Sequence, residues 1–387
     1  MAGRLRIGLV AGEASGDLLG AALIEALRRQ RPDIDFAGVA GPRMRAAGCQ
    51  VLASSEELAV MGFVEPLRHL PRLMALRSRL RREFLSGGYD AFVGIDAPAF
   101  NLGLERRLRE HGVPTVQYVS PQVWAWRPGR VRKIASSVDS VLCLLPFEVP
   151  FYEKHAVHAE FVGHPLADQV PLEPGREAAR AALGIDAAAT VVAILPGSRM
   201  SEVQRLGADF AAAARLLAGR RQAPPLFLAP MVNPRVAAVF DAQVRAAGAP
   251  VRLLEGRAGE VLAAADVALV ASGTATLETL LWGCPMVVAY RVAAGTAFLA
   301  RSLGLIKVPY ISQPNLLAGE MLVPELLQEA VTPEALAAAL AAALDDAPRR
   351  ALLQRRFREI HLQLRQGGAA RAAQRVLELI DRRRSAS

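Results

Sequence analysis

Several short stretches of this chain combine small residues, hydroxyls and single charges in ways that suit chemistry on an anionic substrate. The run ALVASGTATLE (residues 268–278) passes from apolar residues through Ser272, Gly273 and Thr274 into a helical pattern carrying Thr276 and Glu278. A small, hydroxyl-rich turn before a helix leaves unpaired backbone N–H groups, which suit the diphosphate of a nucleotide. The same residues also suit an ordinary cap, with Ser272 or Thr274 closing the first turn. LPGSRMSE (195–202) has a similar form: Gly197 and Ser198 turn the chain, Arg199 adds a fixed cation at the helix entry, and Glu202 follows in its first turn. GIDAPAFN (94–101) ends an apolar run on Asp96. A carboxylate there suits general-base work on a substrate hydroxyl, and capping a turn or helix is the plainer role.

Other stretches are less specific. GEASGD (12–17), with Glu13, Ser15, Gly16 and Asp17, is a small-residue loop after the first apolar run. It lacks G-x-G-x-x-G spacing and no P-loop lysine follows, so dinucleotide and nucleoside triphosphate readings lose their key residues. It lines a cleft or makes a tight turn. Trp124 and Trp126 stand in a proline-rich loop among arginines, as a substrate wall or a plug at a domain edge. His164 suits a ligand contact at a hinge or a structural place in that hinge. Asn315, after Pro314, suits a helix cap or recognition of a ligand amide or hydroxyl.

The elements that must position these residues follow from apolar runs alternating with helical periodicity, the pattern of a doubly wound α/β sheet. Strands are expected at 5–11, 34–40, 91–96, 115–120, 138–144 and 160–163. A proline-rich linker follows to about residue 175. The pattern then restarts with strands at 190–195, 226–229, 251–254, 267–270 and 286–290. Asp96 and the turns at 197–199 and 272–274 all fall at the carboxyl ends of strands, where open α/β sheets bind ligands. The expected organisation is an N-terminal Rossmann-like domain (1–165), a second one (166–345) across a cleft, and C-terminal helices (346–387).

The segment 61–84 reads as an amphipathic helix. Met61, Phe63, Val64, Leu67, Leu70 and Leu73 form an apolar series, with Arg68 and Arg72 among six threaded arginines. It suits a membrane surface or acyl chains, or packing on the sheet with arginines in water. The 387 residues suffice for two cores, and the net charge is +9. Aromatic content of 5% without aromatic–basic interleaving argues against nucleic acid. No apolar run is long enough to span a bilayer and the first residues read as a strand, so a cytoplasmic protein is expected. Cys49, Cys143 and Cys284 have neither disulfide nor metal spacing. Asp33 and Asp35 have a D-x-D spacing but stand at the wrong end of a strand for a metal site.

The ordered set GEASGD, GIDAPAFN, SPQVWAWRPGR, VGHPL (162–166), LPGSRMSE, SGTATLE and PNLLAGE (314–320) resembles the lipid-A-disaccharide synthase family, inverting glycosyltransferases of the GT-B fold. The motif cores match; Ala99 stands where an acidic residue is expected in some relatives. The resemblance implies transfer of 2,3-diacylglucosamine from UDP-2,3-diacylglucosamine to the 6-hydroxyl of 2,3-diacylglucosamine 1-phosphate, giving a β(1→6) disaccharide 1-phosphate and UDP. It makes Asp96 the base and Arg199 the diphosphate clamp. Gly197, Ser198, Ser272, Gly273, Thr274, Thr276, Glu278 and, more weakly, Asn315 fall on the UDP side, with Glu278 suited to ribose hydroxyls. It places residues 61–80 against acyl chains at the cytoplasmic face of the inner membrane. It implies no cofactor and no metal, and C-terminal helices that pack on an N-terminal domain or exchange in a homodimer. The rivals are a UDP-N-acetylglucosamine 2-epimerase of the same fold and a non-catalytic lipid-binding protein.

Overall fold

A computed structural model describes residues 4–58, 66–126, 128–292 and 309–386, side chains excepted at 66–70, 125, 126 and 386. The chain divides into two compact units. The first takes in Met1–Asp168 and Leu364–Ser387, the second Gln169–Gln363.

In the first unit β1 (Leu5–Ala11), β2 (Ile34–Ala40), β3 (Cys49–Ser54), β4 (Ala91–Ile95), β5 (Thr115–Tyr118), β6 (Ser140–Cys143) and β7 (Ala159–Phe161) form one parallel sheet, ordered β3-β2-β1-β4-β5-β6-β7. Strands such as AFVGI are buried along their whole length, as parallel strands covered on both faces must be. The order runs outward from β1 in one direction and from β4 in the other, so the switch point lies between them. One face is covered by α1 (Ala14–Gln30), whose Leu23, Ile24 and Leu27 share a core with residues of the last helix. The other is covered by α2 (Pro66–Ser86) and α3 (Pro98–Glu110), which bury Leu76, Leu80, Phe84, Leu104 and Leu108.

The second unit repeats the plan with six parallel strands. They are β8 (Val191–Leu195), β9 (Leu226–Met231), β10 (Val251–Glu255), β11 (Val267–Ala271), β12 (Met286–Tyr290) and β13 (Glu325–Leu327), ordered β10-β9-β8-β11-β12-β13. Its switch point lies between β8 and β11. Helix α4 (Met200–Gly219) follows β8, α5 (Thr274–Leu281) follows β11, and α6 (Gln313–Ala318) precedes β13.

The C-terminal segment behaves as two elements. Helix α7 (Ala347–Leu364) falls almost wholly within the second unit, whereas α8 (Gly368–Ala386) belongs to the first. The sequence pattern, which sets residues 346–387 apart as one block, does not show this division. Ala372, Ala373, Val376 and Ile380 of α8 complete the core beside α1 of the same chain. The returning chain is fastened where it re-enters. Asp168 accepts hydrogen bonds from the Gly367 and Gly368 amides at 2.9 and 2.7 Å, and the His164 amide donates to Leu364 O at 2.9 Å.

Candidate active site

In the first unit the loops after β1 and β4 meet at the switch point. Ala11 and Ile95 are ladder partners, and a Cβ on Gly12 would stand 2.6 Å from the Ala97 Cβ, so only glycine lets the loops close together. Asp96 and Ala97 both adopt left-handed backbone, with φ of 52° and 42°. Val119, one residue past β5, does so too at 79°, an expensive conformation for a β-branched residue. Such strain persists only where the surroundings hold it, and it clusters at functional turns. Asp96 itself is half-buried. Burial raises its carboxyl above the ordinary range, against a hydrogen bond from the Ala97 amide that lowers it. A raised carboxyl is a stronger base, as proton abstraction from a hydroxyl requires.

Helix α1 starts at Ala14 with no side-chain cap, Glu13 at its N-cap and Ser15 exposed. Gly16 is buried against Ala11 and the Ile95 carbonyl. Asp17, expected on the cleft loop, is only 3% exposed, and its carboxylate is spent inside the fold. It accepts from the amides of Gly41 (2.8 Å), Arg43 (2.9 Å) and Met44 (3.0 Å), holding the loop after β2. Trp124 borders the loops after β5 and β6. Its indole N–H donates to Glu148 Oε1 at 3.1 Å and its ring meets Phe147 edge-on. Trp126 belongs to the same short helix. His164 does structural work: its Nδ1 accepts from the Leu166 amide at 3.2 Å, and burial pushes its pKa down to about 4 against the pull of Asp168.

In the second unit the two glycine turns lie on adjacent strands. Leu195 and Val270 are ladder partners, so Gly197–Arg199 and Ser272–Thr274 leave the sheet side by side, strands about 4.8 Å apart. They offer different things. The Ser198 and Arg199 amides are already taken by Glu202 Oε2, at 3.0 and 3.2 Å, so this turn does not present the free N–H groups expected of it. It presents the Arg199 guanidinium, 67% exposed and held loosely by Glu202 at 3.4 Å. Gly197, with φ of 130°, admits Glu202; a Cβ there would lie 2.4 Å from the Glu202 Cβ.

The other turn is open. Gly273, at φ 153°, is the N-cap of α5 and no side chain caps the helix. Ser272 turns its hydroxyl to Ile311 O at 3.4 Å instead. The capping role available to Ser272 and Thr274 is therefore not the one taken, and the first amides of α5 stay available to an anion at the positive end of the helix. Glu278 sits in the second turn of α5, half-buried, its carboxyl raised by burial. Tyr290, ending β12, brings a phenol among Glu202, Arg205 and Arg199; burial and Glu202 raise its pKa and the two arginines oppose them.

Two expected contacts are corrected by their surroundings. Thr276 is fully buried, and its hydroxyl donates to Gly273 O at 2.8 Å, so it shapes the turn from behind. Asn315 is also fully buried. Its amide donates to Val323 O (2.9 Å) and Glu325 Oε1 (2.8 Å) and accepts from the Val323 amide (2.9 Å), leaving nothing for a ligand. Glu325, unremarked in the sequence, is the hub: it also accepts from Ile311 N, Ser312 N and Ser312 Oγ.

Of the apolar series, Met61, Phe63 and Val64 lie outside the described residues. Leu67, Arg68 and Leu70 lie in α2, their side chains outside the description. Arg72 is exposed, whereas Leu73 packs partly against the core with Leu76, Leu80 and Phe84. Half of this helix is thus a sheet-packing helix. Among the described residues no helix is long and apolar enough to cross a membrane, and no three His, Cys, Asp or Glu side chains are placed to hold a metal ion. A cavity of about 770 Å³ in the second unit opens beside Ala265, Trp282 and Cys284, at the amino ends of β11 and β12, and forms no part of this site.

Two doubly wound parallel-sheet units, each with small-residue turns at its switch point, define a protein of the GT-B fold class. Solved structures agree at the level of fold. They include Acinetobacter baumannii MurG (TM-score 0.59, 12% identity, 97% of this chain and 100% of that one). Another is the UDP-GlcNAc 2-epimerase from Neisseria meningitidis (TM-score 0.58, 11% identity, 98% and 100%). Residues 7–379 match the profile of the lipid-A-disaccharide synthetase family. Lipid-A-disaccharide synthases of Alkalilimnicola ehrlichii and Azotobacter vinelandii are 53% and 52% identical, over 96% and 99% of this chain and 98% and 100% of theirs. That of Xanthomonas campestris is 51% identical over 98% of this chain and 87% of its own. The chain belongs to the lipid-A-disaccharide synthase family.

Proposed function

We propose that the chain transfers 2,3-diacylglucosamine from its UDP derivative to the 6-hydroxyl of 2,3-diacylglucosamine 1-phosphate, inverting the anomeric centre and releasing UDP. The observation that carries the donor half is the pair of neighbouring turns at Arg199 and Gly273. Arg199 and the uncapped start of α5 supply fixed positive charge where a diphosphate leaves. That is the task a divalent ion performs elsewhere, so the reaction on this reading uses no metal and no cofactor. Glu278 is suited to accept from ribose hydroxyls. Asp96 takes the proton of the acceptor hydroxyl as the O6–C1 bond forms and the C1–O bond to the diphosphate breaks. The electron pair of the broken bond leaves with UDP, and the clamp stabilises the charge.

The acceptor is a lipid, and the first unit has a surface that suits its setting. Between α2 and α3 lies a cleft of about 460 Å³ lined by Arg77, Arg81, Arg106, Arg107 and Lys133, with Met74 at its side and, among the described residues, no carboxylate in its lining. We read it as the face that meets anionic lipid, placing the protein peripherally on the cytoplasmic side of the inner membrane. A homodimer on this reading pairs through α8, whose apolar face already fits α1.

The test is product formation from both acylated substrates, followed by thin-layer chromatography. Asp96→Asn is expected to lower kcat by about 100-fold or more with the KM for the UDP-sugar little changed. Arg199→Ala is expected to lower kcat/KM for the donor by a similar factor. Disaccharide formation at wild-type rates in both variants would sink the mechanism.

A further inference from the structure

A polar island lies beneath the Asp96 turn. Asn101 and Glu105, one turn apart on α3, meet Gly94 of β4, whose ladder partner is Gln117 of β5. Asn101, Glu105 and Gln117 are all fully buried. Asn101 Nδ2 donates to the main-chain oxygen of Asp96 at 2.9 Å and Gln117 Nε2 donates to the same oxygen at 3.0 Å. Gln117 also reaches Val119 O at 3.3 Å and Asn101 reaches Val10 O at 3.3 Å. Two side-chain amides therefore grip the strained turn from opposite elements, binding the left-handed Asp96 to the left-handed Val119.

The other ends of those amides are unmatched. Asn101 Oδ1, Gln117 Oε1 and both oxygens of Glu105 are buried without a hydrogen-bond partner among the described residues. Each such group costs about 1–3 kcal/mol when left unpaired, so four together call for a donor. Glu105 is packed hard against the sheet, 2.3 Å from where a Cβ on Gly94 would stand. An ionised carboxylate there would face other acceptors with no cation to offset it. The acid form carries an O–H, and residues four apart on a helix stand side by side. Burial, with no charged neighbour contributing, raises the Glu105 carboxyl well above its ordinary value.

We propose that Glu105 is a positioning residue: held as the neutral acid, it donates to the Asn101 amide oxygen, fixing the amide nitrogen on the Asp96 carbonyl and so the turn that presents the Asp96 carboxyl. The inference rests on Asp96 as the base. It gives a buried acid a task that a leucine of similar size would not perform.

The experiment has two arms on the full-length protein. Infrared difference spectra of wild type against Glu105→Gln at pH 7 are expected to show the carbonyl band of a protonated carboxylic acid, lost in the variant. Its absence overturns the proposal without any turnover being measured. In steady-state assays Glu105→Gln, which keeps a donor in place, is expected to hold kcat within about threefold, while Glu105→Leu lowers it about 30-fold or more with the donor KM within about twofold. Equal losses in both variants, or none in either, overturn the donor role. If the leucine variant does not fold, the spectrum and the glutamine variant still decide. An active Asp96→Asn enzyme would remove the base reading and leave the infrared result standing, so the two failures are separable.

Discussion

At the residue scale, the charged groups around the first unit's loops titrate in opposite senses. Glu148, behind Trp124, is raised from 4.5 to about 7 by burial, against hydrogen bonds from Leu145, Ser120 and Trp124 that lower it. Unfolded, it ionises near 4.5; folded, it keeps its proton until about 7. The native state binds the extra proton in that window, so its contribution to stability falls as pH rises from about 4.5 to 7 and is level above. His164, lowered from 6.5 to about 4, destabilises the fold as pH falls from 6.5 to 4. Glu148→Gln should therefore remove the Glu148 share of the pH dependence, a loss of stability between about pH 5 and 7. In thermal melts, the Tm of the variant relative to wild type should climb with pH over that range, and parallel curves would contradict it. The same scale shows where sequence reasoning stops. The placement of Asp96, Arg199 and Gly273 in turns at strand ends was legible because it follows from a strand–turn–helix context. Asp17, Thr276 and Asn315 were not, because what occupies them is uncharged backbone or a carboxylate brought by folding: Gly41–Met44, Gly273 O, and Val323 with Glu325. Two of these three partner sets announce themselves by no side-chain chemistry at all.

At the scale of elements, the switch points explain why the motifs stand where they do. Every small-residue turn read from the sequence as a ligand turn follows β1, β4, β8 or β11, the four strands flanking the two switch points. Periodicity could show the strands, yet not their order, because apolar runs of five residues look alike whether central or peripheral. It also could not separate α7 from α8, since both are rich in alanine, leucine and arginine. Only the packing of Ala372, Ala373, Val376 and Ile380 against α1 assigns α8 to the first unit. That assignment has a measurable consequence. Ile380 is 1% exposed, and truncation to alanine should cost about 2–5 kcal/mol, as large-to-small core changes do. The expected outcome is a lower Tm with the KM for the UDP-sugar unchanged, because the donor turns belong to the other unit. An unchanged Tm would mean that α8 leaves this site in solution. Asp168 extends the point: its carboxylate holds the Gly367 and Gly368 amides at the start of α8, so the helix is docked at its first residue as well as along its face.

At the scale of the whole molecule, the net charge of +9 has to be read by where it is not neutralised. Much of the arginine is paired: Arg109 with Asp139, Arg176 and Arg180 with Asp266, Arg291 with Asp209, Arg375 with Glu160. Such pairs are local and give the molecule no field of long reach. The cleft between α2 and α3 is different. Arg106 and Arg107 share one carboxylate, Glu110, while Arg77 lies over Gly103 and, among the described residues, no carboxylate lines the wall. An unbalanced basic surface is what attraction to anionic lipid requires, and each basic group near such a surface contributes about 1 kcal/mol. Replacing Arg77, Arg81 and Lys133 together by glutamate should then weaken binding to vesicles containing phosphatidylglycerol by about 100-fold or more, with binding to neutral phosphatidylcholine vesicles little altered. Raising salt should weaken wild-type binding in the same way, since exposed charges are screened over about 10 Å at 0.1 M. UDP binding should be unaffected by the triple substitution. A triple variant that co-sediments with anionic vesicles as wild type does would move the proposed membrane face away from this cleft.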